Sequence, residues 1–378
     1  MFFDQDLRGD ALPPRTICLT FDDGPGPRTA AIGEFLAGLK ISATFFHMGM
    51  HARQFPTTVP RLRASGHLVG NHTDTHPALV SFVRDGGDVV SELARTDEAI
   101  GASPEGGGPT YFRPPYGDWR DPPDPAHPET PTASSTVARV LNQAGRFPHL
   151  VGPVGWDIDS ADWKFWLEGR SVAECGQAYL AAIEHVGRGI ILLHDSSERE
   201  PIRRNNQTEA LVRWLCPILL DRGYRFVRLD QVPAVAAAGS VQPLVGFQAE
   251  TDRWLTCPLD ANRVRLAAID EARDGCVRFG LVPVGVSAGR ETVGLLACNG
   301  RFLARTETGL VLAAATTPDD SARWQLIARD RGLVEIRTSR QESIVSDGPL
   351  HEVCLQADAL RPLLFRITDE LSDNPPGS

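Results

Sequence analysis

At 378 residues the chain exceeds one average domain, and its apolar fraction of 42% and charged fraction of 23% are ordinary for a globular protein. A formal net charge of -10 argues against nucleic acid or an anionic membrane as partner and leaves neutral or cationic substrates open. Seven scattered cysteines with no CxxC predict buried thiols, not a disulfide framework or a cysteine zinc site. The N-terminal "MFFDQDLRGD" lacks the basic and apolar regions of a leader, and no run of about twenty apolar residues suggests a membrane span. The expectation is a cytoplasmic protein.

In the first part, short apolar runs alternate with amphipathic ones. Strands are predicted at "ICLTF" (17–21), "ATFFHM" (43–48), "HLVGNH" (67–72), "YFRPP" (111–115), "VGWDID" (154–159), "IILLHD" (190–195) and "RFVRLD" (225–230). Helical patterns lie between them. "TAAIGEFLAGL" places Ile32, Phe35, Leu36 and Leu39 on one face, and "EALVRWLCPILLDRG" ends in a glycine stop signal. About seven strands alternating with helices predict a parallel α/β barrel, whose function gathers at the carboxyl ends of its strands. Asp22, Asp23, His72, Arg113, Asp159, His194 and Asp195 all fall at such ends. The proline-rich stretch 118–135 reads as a long loop on that rim.

A linker is predicted within 231–243, and beyond it the pattern becomes repetitive. Segments starting at Val245, Val293 and Val334 overlay, and each is followed about thirty residues later by an aromatic, one residue and an aliphatic: Phe279 and Leu281, Trp324 and Leu326, Phe365 and Ile367. Three units of roughly forty residues must stack to bury their apolar faces. The tail "SDNPPGS" is predicted to be disordered.

The chemistry-bearing residues follow the rim. His72 and His76 in "GNHTDTHP" are four apart, a spacing that puts two imidazoles on one face of a helical turn and suits zinc; solvated histidines in a polar turn are the alternative. Asp23 is a candidate third ligand, and two imidazoles with one carboxylate leave a position open for water. Asp22 is then placed to take a proton from that water, and Gly24-Pro25 supplies the turn that lets both carboxylates face inward. Arg113 in "YFRPPYG" is suited to a two-pronged hydrogen bond with Asp22, and the stiff backbone at Pro115, Tyr116 and Gly117 is suited to presenting an amide N–H to a substrate oxygen. "GWDIDSADWKFW" offers carboxylates and tryptophan faces for a sugar, with a core cluster as the alternative, preferred for Trp166. His194 emerges from a buried strand and, beside a hydrolytic metal, becomes a general acid.

Taken in order, TFDDGP (20–25), HTDTH (72–76), RPPYG (113–117), DSADW (159–163) and LLHD (192–195) resemble the five motifs of the NodB-type polysaccharide deacetylases, carbohydrate esterase family 4. The resemblance covers about residues 15–235. It implies a distorted (β/α)7 barrel and metal-dependent removal of N-acetyl groups from N-acetylglucosamine polymers, with Zn2+ or another divalent metal such as Co2+. Carried over by position, Asp22 corresponds to the catalytic base, and Asp23, His72 and His76 to the metal triad. Arg113 matches the arginine that holds the base, Tyr116 the residue whose amide helps bind the oxyanion, and His194 the catalytic acid. Asp162 is assigned to orient His194, with Asp159 as the competing choice. Pro115, Trp163 and Leu193 are assigned to the substrate. The repeats after residue 243 resemble a β-trefoil of the fascin type, for which sugar binding and self-association are both open.

The expected layout is a deacetylase domain at 1–235, a linker at 236–243, a β-trefoil-like domain at 244–370 and a tail at 371–378. Two departures from the family stand out: the long 118–135 insertion, and His47 at a strand position that is usually apolar. An O-acetyl esterase, or a carbohydrate-binding protein on a deacetylase scaffold, are the competing functions.

Overall fold

The computed structural model describes residues 1–102, 108–122, 135–144, 146–239, 244–258, 264–267, 275–276, 278–287, 290–297, 302–315, 320–338, 340–347, 352–357 and 362–368. The middle of the 118–135 insertion, the end of the expected linker, Cys298 with the turn after it, and the expected tail lie outside them.

The first region is built from parallel strands β1 (Phe2–Leu7), β2 (Thr16–Gly24), β3 (Thr44–His47), β4 (Leu68–Asn71), β5 (Thr110–Tyr111), β6 (Leu150–Val154), β7 (Gly189–His194) and β8 (Arg225–Phe226). One sheet runs β4-β3-β2-β7, with β8 also paired to β2, and the other runs β1-β6-β5. A bridge from Asn71 to Phe112 joins the two sheets on one side, and a bridge from Ile158 to Ile191 joins them on the other. The result is barrel-like. Helices α1 (Thr29–Gly38), α2 (Gly49–Gln54), α3 (Thr58–Ala64), α4 (Leu79–Arg84), α5 (Val89–Ile100), α6 (Thr136–Ala144), α7 (Asp162–Glu168), α8 (Val172–Val186), α9 (Glu200–Asn205), α10 (Thr208–Asp221) and α11 (Pro233–Gly239) occupy the connections.

Alternation along β2 explains the layering. Ile17, Leu19 and Phe21 face outward into a cluster with Ile32 and Leu36 of α1, Tyr179 and Ile183 of α8, and Leu211 and Leu215 of α10. Each aliphatic buried there contributes about 1.5–3 kcal/mol. The even-numbered Cys18, Thr20 and Asp22 face inward: Cys18 joins the barrel's apolar interior, while Thr20 and Asp22 meet Arg113 above it. Cys18, Cys175 and Cys216 are buried thiols.

Several predicted strands are shorter or displaced. Residues 113–115 leave the sheet because Pro114 and Pro115 supply no N–H. The strand expected at 154–159 lies at Leu150–Val154, and the one at 225–230 ends at Phe226 before a 3-10 turn. β1 was not anticipated from the sequence. Residues 236–239, expected to belong to a linker, are the last turn of α11, with Val235 and Ala238 buried. The two sides of the 118–135 insertion are pinned together: Ser135 Oγ donates to the Trp119 carbonyl at 2.6 Å, and the Thr136 N–H donates to Asp121 at 2.9 Å.

The second region is an all-antiparallel sheet of β9 (Leu244–Ala249), β10 (Trp254–Pro258), β11 (Arg265–Ala267), β12 (Gly275–Cys276), β13 (Arg278–Ser287), β14 (Arg290–Leu296), β15 (Phe302–Arg305), β16 (Val311–Ala315), β17 (Trp324–Ala328), β18 (Leu333–Thr338), β19 (Glu342–Asp347), β20 (Glu352–Ala357) and β21 (Leu364–Thr368). Its pairing follows the repeats. Val245 sits opposite Phe279, Val293 opposite Trp324, and Val334 opposite Phe365. The pairings β9–β13–β14–β17–β18–β21 return from β21 to β9, so these six strands form a closed ring. Phe247, Phe279, Phe365 and Trp324 fill its core.

One apolar cluster connects the regions. Val282, Leu296, Phe302, Ala304 and Ala322 of the sheet pack with Leu229, Val232, Val235 and Ala238, and these with Phe3, Cys18 and Ile190 of the barrel interior. β8 pairs with Thr16 and Ile17, the first residues of β2, so the chain after it crosses the amino ends of the strands. The cluster therefore closes the barrel at the end opposite Asp22 and Asp23.

Candidate active site and metal centre

At the carboxyl end of β2 the backbone does what the doublet requires. Asp23 adopts φ 68°, a left-handed conformation that aspartate tolerates better than most residues and that swings its carboxylate to the side Asp22 already faces. Asp22 and Asp23 are both buried, 4% and 6% exposed. Thr73, His76, Tyr116 and Ala161 also take positive φ, and all lie in the rim motifs. Strain concentrated in this way marks a site whose geometry the surrounding fold imposes.

The three candidate ligands converge. Asp23 Oδ1 lies 3.3 Å from His72 Nε2 and 3.1 Å from His76 Nε2. Among the described residues this trio is the one group of histidine, cysteine and acidic side chains able to hold a metal ion, its ligand atoms lying within 4.8 Å of one another. The histidines do not sit on a helical turn, as their spacing predicts. Thr73 and His76 both have φ 63°, Thr73 N–H is tied to Asn71 Oδ1, and the segment is an irregular turn after β4. His72 Nδ1 lies 2.8 Å from the Arg113 carbonyl; a carbonyl only accepts, so Nδ1 carries the hydrogen and Nε2 offers its lone pair inward. These residues fit a divalent cation. Burial alone would raise the Asp23 carboxyl, but His76 and His72 draw it well below the usual carboxylate range.

Asp22 is fixed from below. Arg113, fully buried, donates from one terminal nitrogen to Asp22 Oδ1 and Thr20 Oγ1, both at 2.8 Å. Its other nitrogens donate to the carbonyls of Val154 at 3.0 Å and Gly155 at 2.9 Å, and its plane lies 4.3 Å above the Phe46 ring. Asp22 Oδ2 is left facing the histidines, 3.7 Å from His72 Nε2.

Across the cavity, His194 Nδ1 lies 2.7 Å from Asp162 Oδ1, and the His194 N–H donates to Asp162 Oδ2 at 2.9 Å. Asp162 is fully buried and also accepts from Thr208 Oγ1 at 3.2 Å. Asp159, the competing partner, is exposed and accepts instead from the Ala161 N–H at 2.6 Å. Burial alone would lower the His194 pKa, but the Asp162 carboxylate and its hydrogen bond carry it up to about 10. The imidazole is thus charged at neutral pH.

These groups surround a cavity of about 310 Å³ lined by Asp22, Asp23, His72, His76, Tyr116, Trp163 and His194 among others. Two assigned residues do not reach it. Leu193 is fully buried in the helix-facing core, and Leu192 lines the cavity in its place, because alternation along β7 puts 192 and 194 on one side and 193 on the other. Pro115 is buried beneath the turn that carries Tyr116.

A family model described as polysaccharide deacetylase matches residues 9–126. A chitooligosaccharide deacetylase of Rhizobium leguminosarum bv. trifolii is 34% identical over 225 residues, 57% of this chain and 91% of the relative. The chitooligosaccharide deacetylase of Sinorhizobium fredii is 31% identical over 222 residues, 57% and 91% of the two chains. A peptidoglycan-N-acetylglucosamine deacetylase of Bacillus cereus is 32% identical over 149 residues, 39% of this chain and 46% of that one. This chain belongs to the polysaccharide deacetylase family.

Within this deacetylase-family site, sequence reasoning missed two residues. Glu198 accepts from the Tyr116 hydroxyl at 3.3 Å and approaches His76 Nδ1 to 3.7 Å, bracing the turn against the ligand. His51 Nδ1 lies 2.7 Å from the Asp23 carbonyl, and burial lowers its pKa, so the neutral ring donates to that carbonyl and holds the strained peptide. Glu198 lies four residues beyond His194, a hint available to the eye; His51 carries no such signal. His47, the departure from the family pattern, is fully buried at the end of β3, where burial lowers its pKa to about 3 and keeps the ring neutral.

Proposed function

We propose that this chain hydrolyses N-acetyl groups on N-acetylglucosamine-containing oligo- or polysaccharides, releasing acetate. The observation that carries this reading is the opposition, across one cavity, of an arginine-locked carboxylate and an aspartate-backed imidazole beside a His2Asp cluster. Asp23, His72 and His76 would hold a divalent cation, Zn2+ or Co2+, which when bound supplies Lewis acidity at the acyl carbonyl.

The protein's own residues do the rest. Asp22 Oδ2, free of Arg113, takes a proton from the attacking water as its oxygen bonds to the acyl carbon. The Tyr116 backbone N–H, carried on the strained turn, meets the oxygen on which negative charge develops. His194 then delivers its proton to the departing nitrogen as the C–N bond breaks, so acetate and a free amine leave. An amine departs poorly without that proton, which suits a charged imidazole to amide substrates. Trp163 and Leu192 offer apolar surface to the acetyl methyl.

Acetate release from chitooligosaccharides, peptidoglycan fragments and acetylated xylan by the zinc-loaded protein tests the reading. Release from the first two supports it, release from xylan alone supports an O-acetyl esterase, and release from none would sink it. His72→Ala is expected to weaken zinc binding by at least about 100-fold, beyond the loss typical of an outer partner, read as zinc retained after dialysis. Asp162→Asn is expected to lower the alkaline limb of kcat/KM against pH by about 1–3 units, since an adjacent opposite charge sustains a shift of that size. The sign follows from the raised pKa: activity is lost as pH rises through the His194 value, and removing the carboxylate brings that loss to lower pH. An unmoved limb would remove Asp162 from this role.

We also propose that residues 1–235 and 244–370 are two domains and that the second is a β-trefoil. The closed six-strand ring and its threefold register support this. Its apolar seam with the barrel supports a packing role for that domain.

A further inference from the structure

The segment 195–206 has two faces. Ser197, Glu198, Arg199 and Ile202 line the cavity described above. Asp195, Ser196, Glu200, Arg203, Arg204 and Asn206 line a second cavity of about 470 Å³ on its other side, completed by residues that include Arg28 and Gln54.

The two cavities differ in charge. The first collects four carboxylates, from Asp22, Asp23, Asp159 and Glu198, against Arg199 and the His194 ring. The second collects three guanidinium groups, from Arg28, Arg203 and Arg204, in a chain whose net charge is -10. Glu200 pairs with Arg203, whereas Arg28 and Arg204 have no acidic partner among the described residues. At the cavity's inner wall Ser196, 1% exposed, has a hydroxyl without a hydrogen-bond partner among the described residues. Gly26 leaves that hydroxyl its room, because a Cβ there would come within 2.8 Å of Ser196 Oγ. Asp195, 2% exposed, gives one carboxyl oxygen to Thr29 and has no partner for the other. Unbalanced guanidiniums above an unsatisfied hydroxyl are the complement of an oxyanion.

We propose that this second cavity binds an oxyanion, a carboxylate or phosphate ester, with Arg28 and Arg204 as counter-charges and Ser196 and Gln54 as hydrogen-bond donors. The shared wall lets an occupant bear on the first cavity through Glu198. The anion has two sources: an acidic group on the saccharide itself, or a free ion. The site extends beyond the proposed hydrolysis and is read by binding, so its failure is separate from failure of that activity.

The test is calorimetric titration of the full-length, zinc-loaded protein with inorganic phosphate, and of an Arg28→Ala/Arg204→Ala variant. Both side chains are exposed, so the variant is expected to keep the parent's melting temperature and its rate on neutral chitooligosaccharides. Phosphate affinity is expected to fall at least 10-fold in the double variant and to survive His72→Ala, which separates this site from the metal centre. A Ser196→Ala variant is expected to lose part of the same affinity. If the anion belongs to the substrate, an oligosaccharide ending in a uronic acid has a higher kcat/KM than its neutral counterpart in the parent but not in the double variant. If it is free, phosphate changes both rates alike. Equal phosphate affinity in parent and double variant, or binding that vanishes with His72→Ala, overturns the proposal.

Discussion

Asp22→Asn is expected to lower kcat by about 10²–10⁴-fold, the usual worth of a positioned proton acceptor, while zinc stoichiometry stays near that of the parent. The asparagine keeps an oxygen for the Arg113 hydrogen bond at 2.8 Å, so the geometry is retained while the basicity and the counter-charge to Arg113 are lost, and some stability with them. Asp23, His72 and His76 are left in place, and their hold on the cation should survive. Acetate release measured beside metal content separates the two carboxylates. Asp23→Asn should instead lose the metal. If Asp22→Asn lost the cation and Asp23→Asn kept it, the roles of the pair would be exchanged.

Arg113→Met is expected to be the most destabilising single change at the site. The guanidinium is fully buried and satisfies Asp22, Thr20 and two backbone carbonyls. Removing one partner of a buried ion pair leaves an uncompensated charge and costs about 3–5 kcal/mol. For a region of this size that is a fall in melting temperature of roughly 6–20 °C. Arg113→Lys keeps a charge but cannot direct donors at four acceptors, so it should recover only part of the loss. A variant that melts within a degree of the parent would show that Asp22 is not held by this pair.

The rim was readable because the same pattern recurs at it: an apolar run ending in a polar residue with a turn signal behind. That pattern places Asp22, His72, Arg113 and His194 without any coordinates. What happens within two residues of a strand end was less readable. Leu192 and Leu193 are identical in type, and only the phase of β7 decides which one meets the cavity. The HxxxH spacing reads as helical, yet the positive φ of Thr73 and His76 brings the same atoms together by another path. β1 went unseen because "FFDQDL" mixes charge into a short run, and its pairing with β6 joins residues about 150 apart. The C-terminal repeats, by contrast, announced their own register. Val245, Val293 and Val334, aligned from sequence alone, occupy equivalent places opposite Phe279, Trp324 and Phe365.

The apolar seam at the amino ends of the barrel strands has an evolutionary consequence. The candidate site lies at one pole of the barrel, and the C-terminal sheet attaches at the other. Loops at the reactive pole can lengthen or change composition, and with them the choice of saccharide, without disturbing the attachment. Residues on the sheet's side of the seam, such as Val282, Leu296 and Phe302, can drift toward other apolar types without touching Asp22 or His194. Selection on such a chain meets two nearly independent problems, so specificity is free to diverge quickly while the pairing of barrel and sheet is inherited intact.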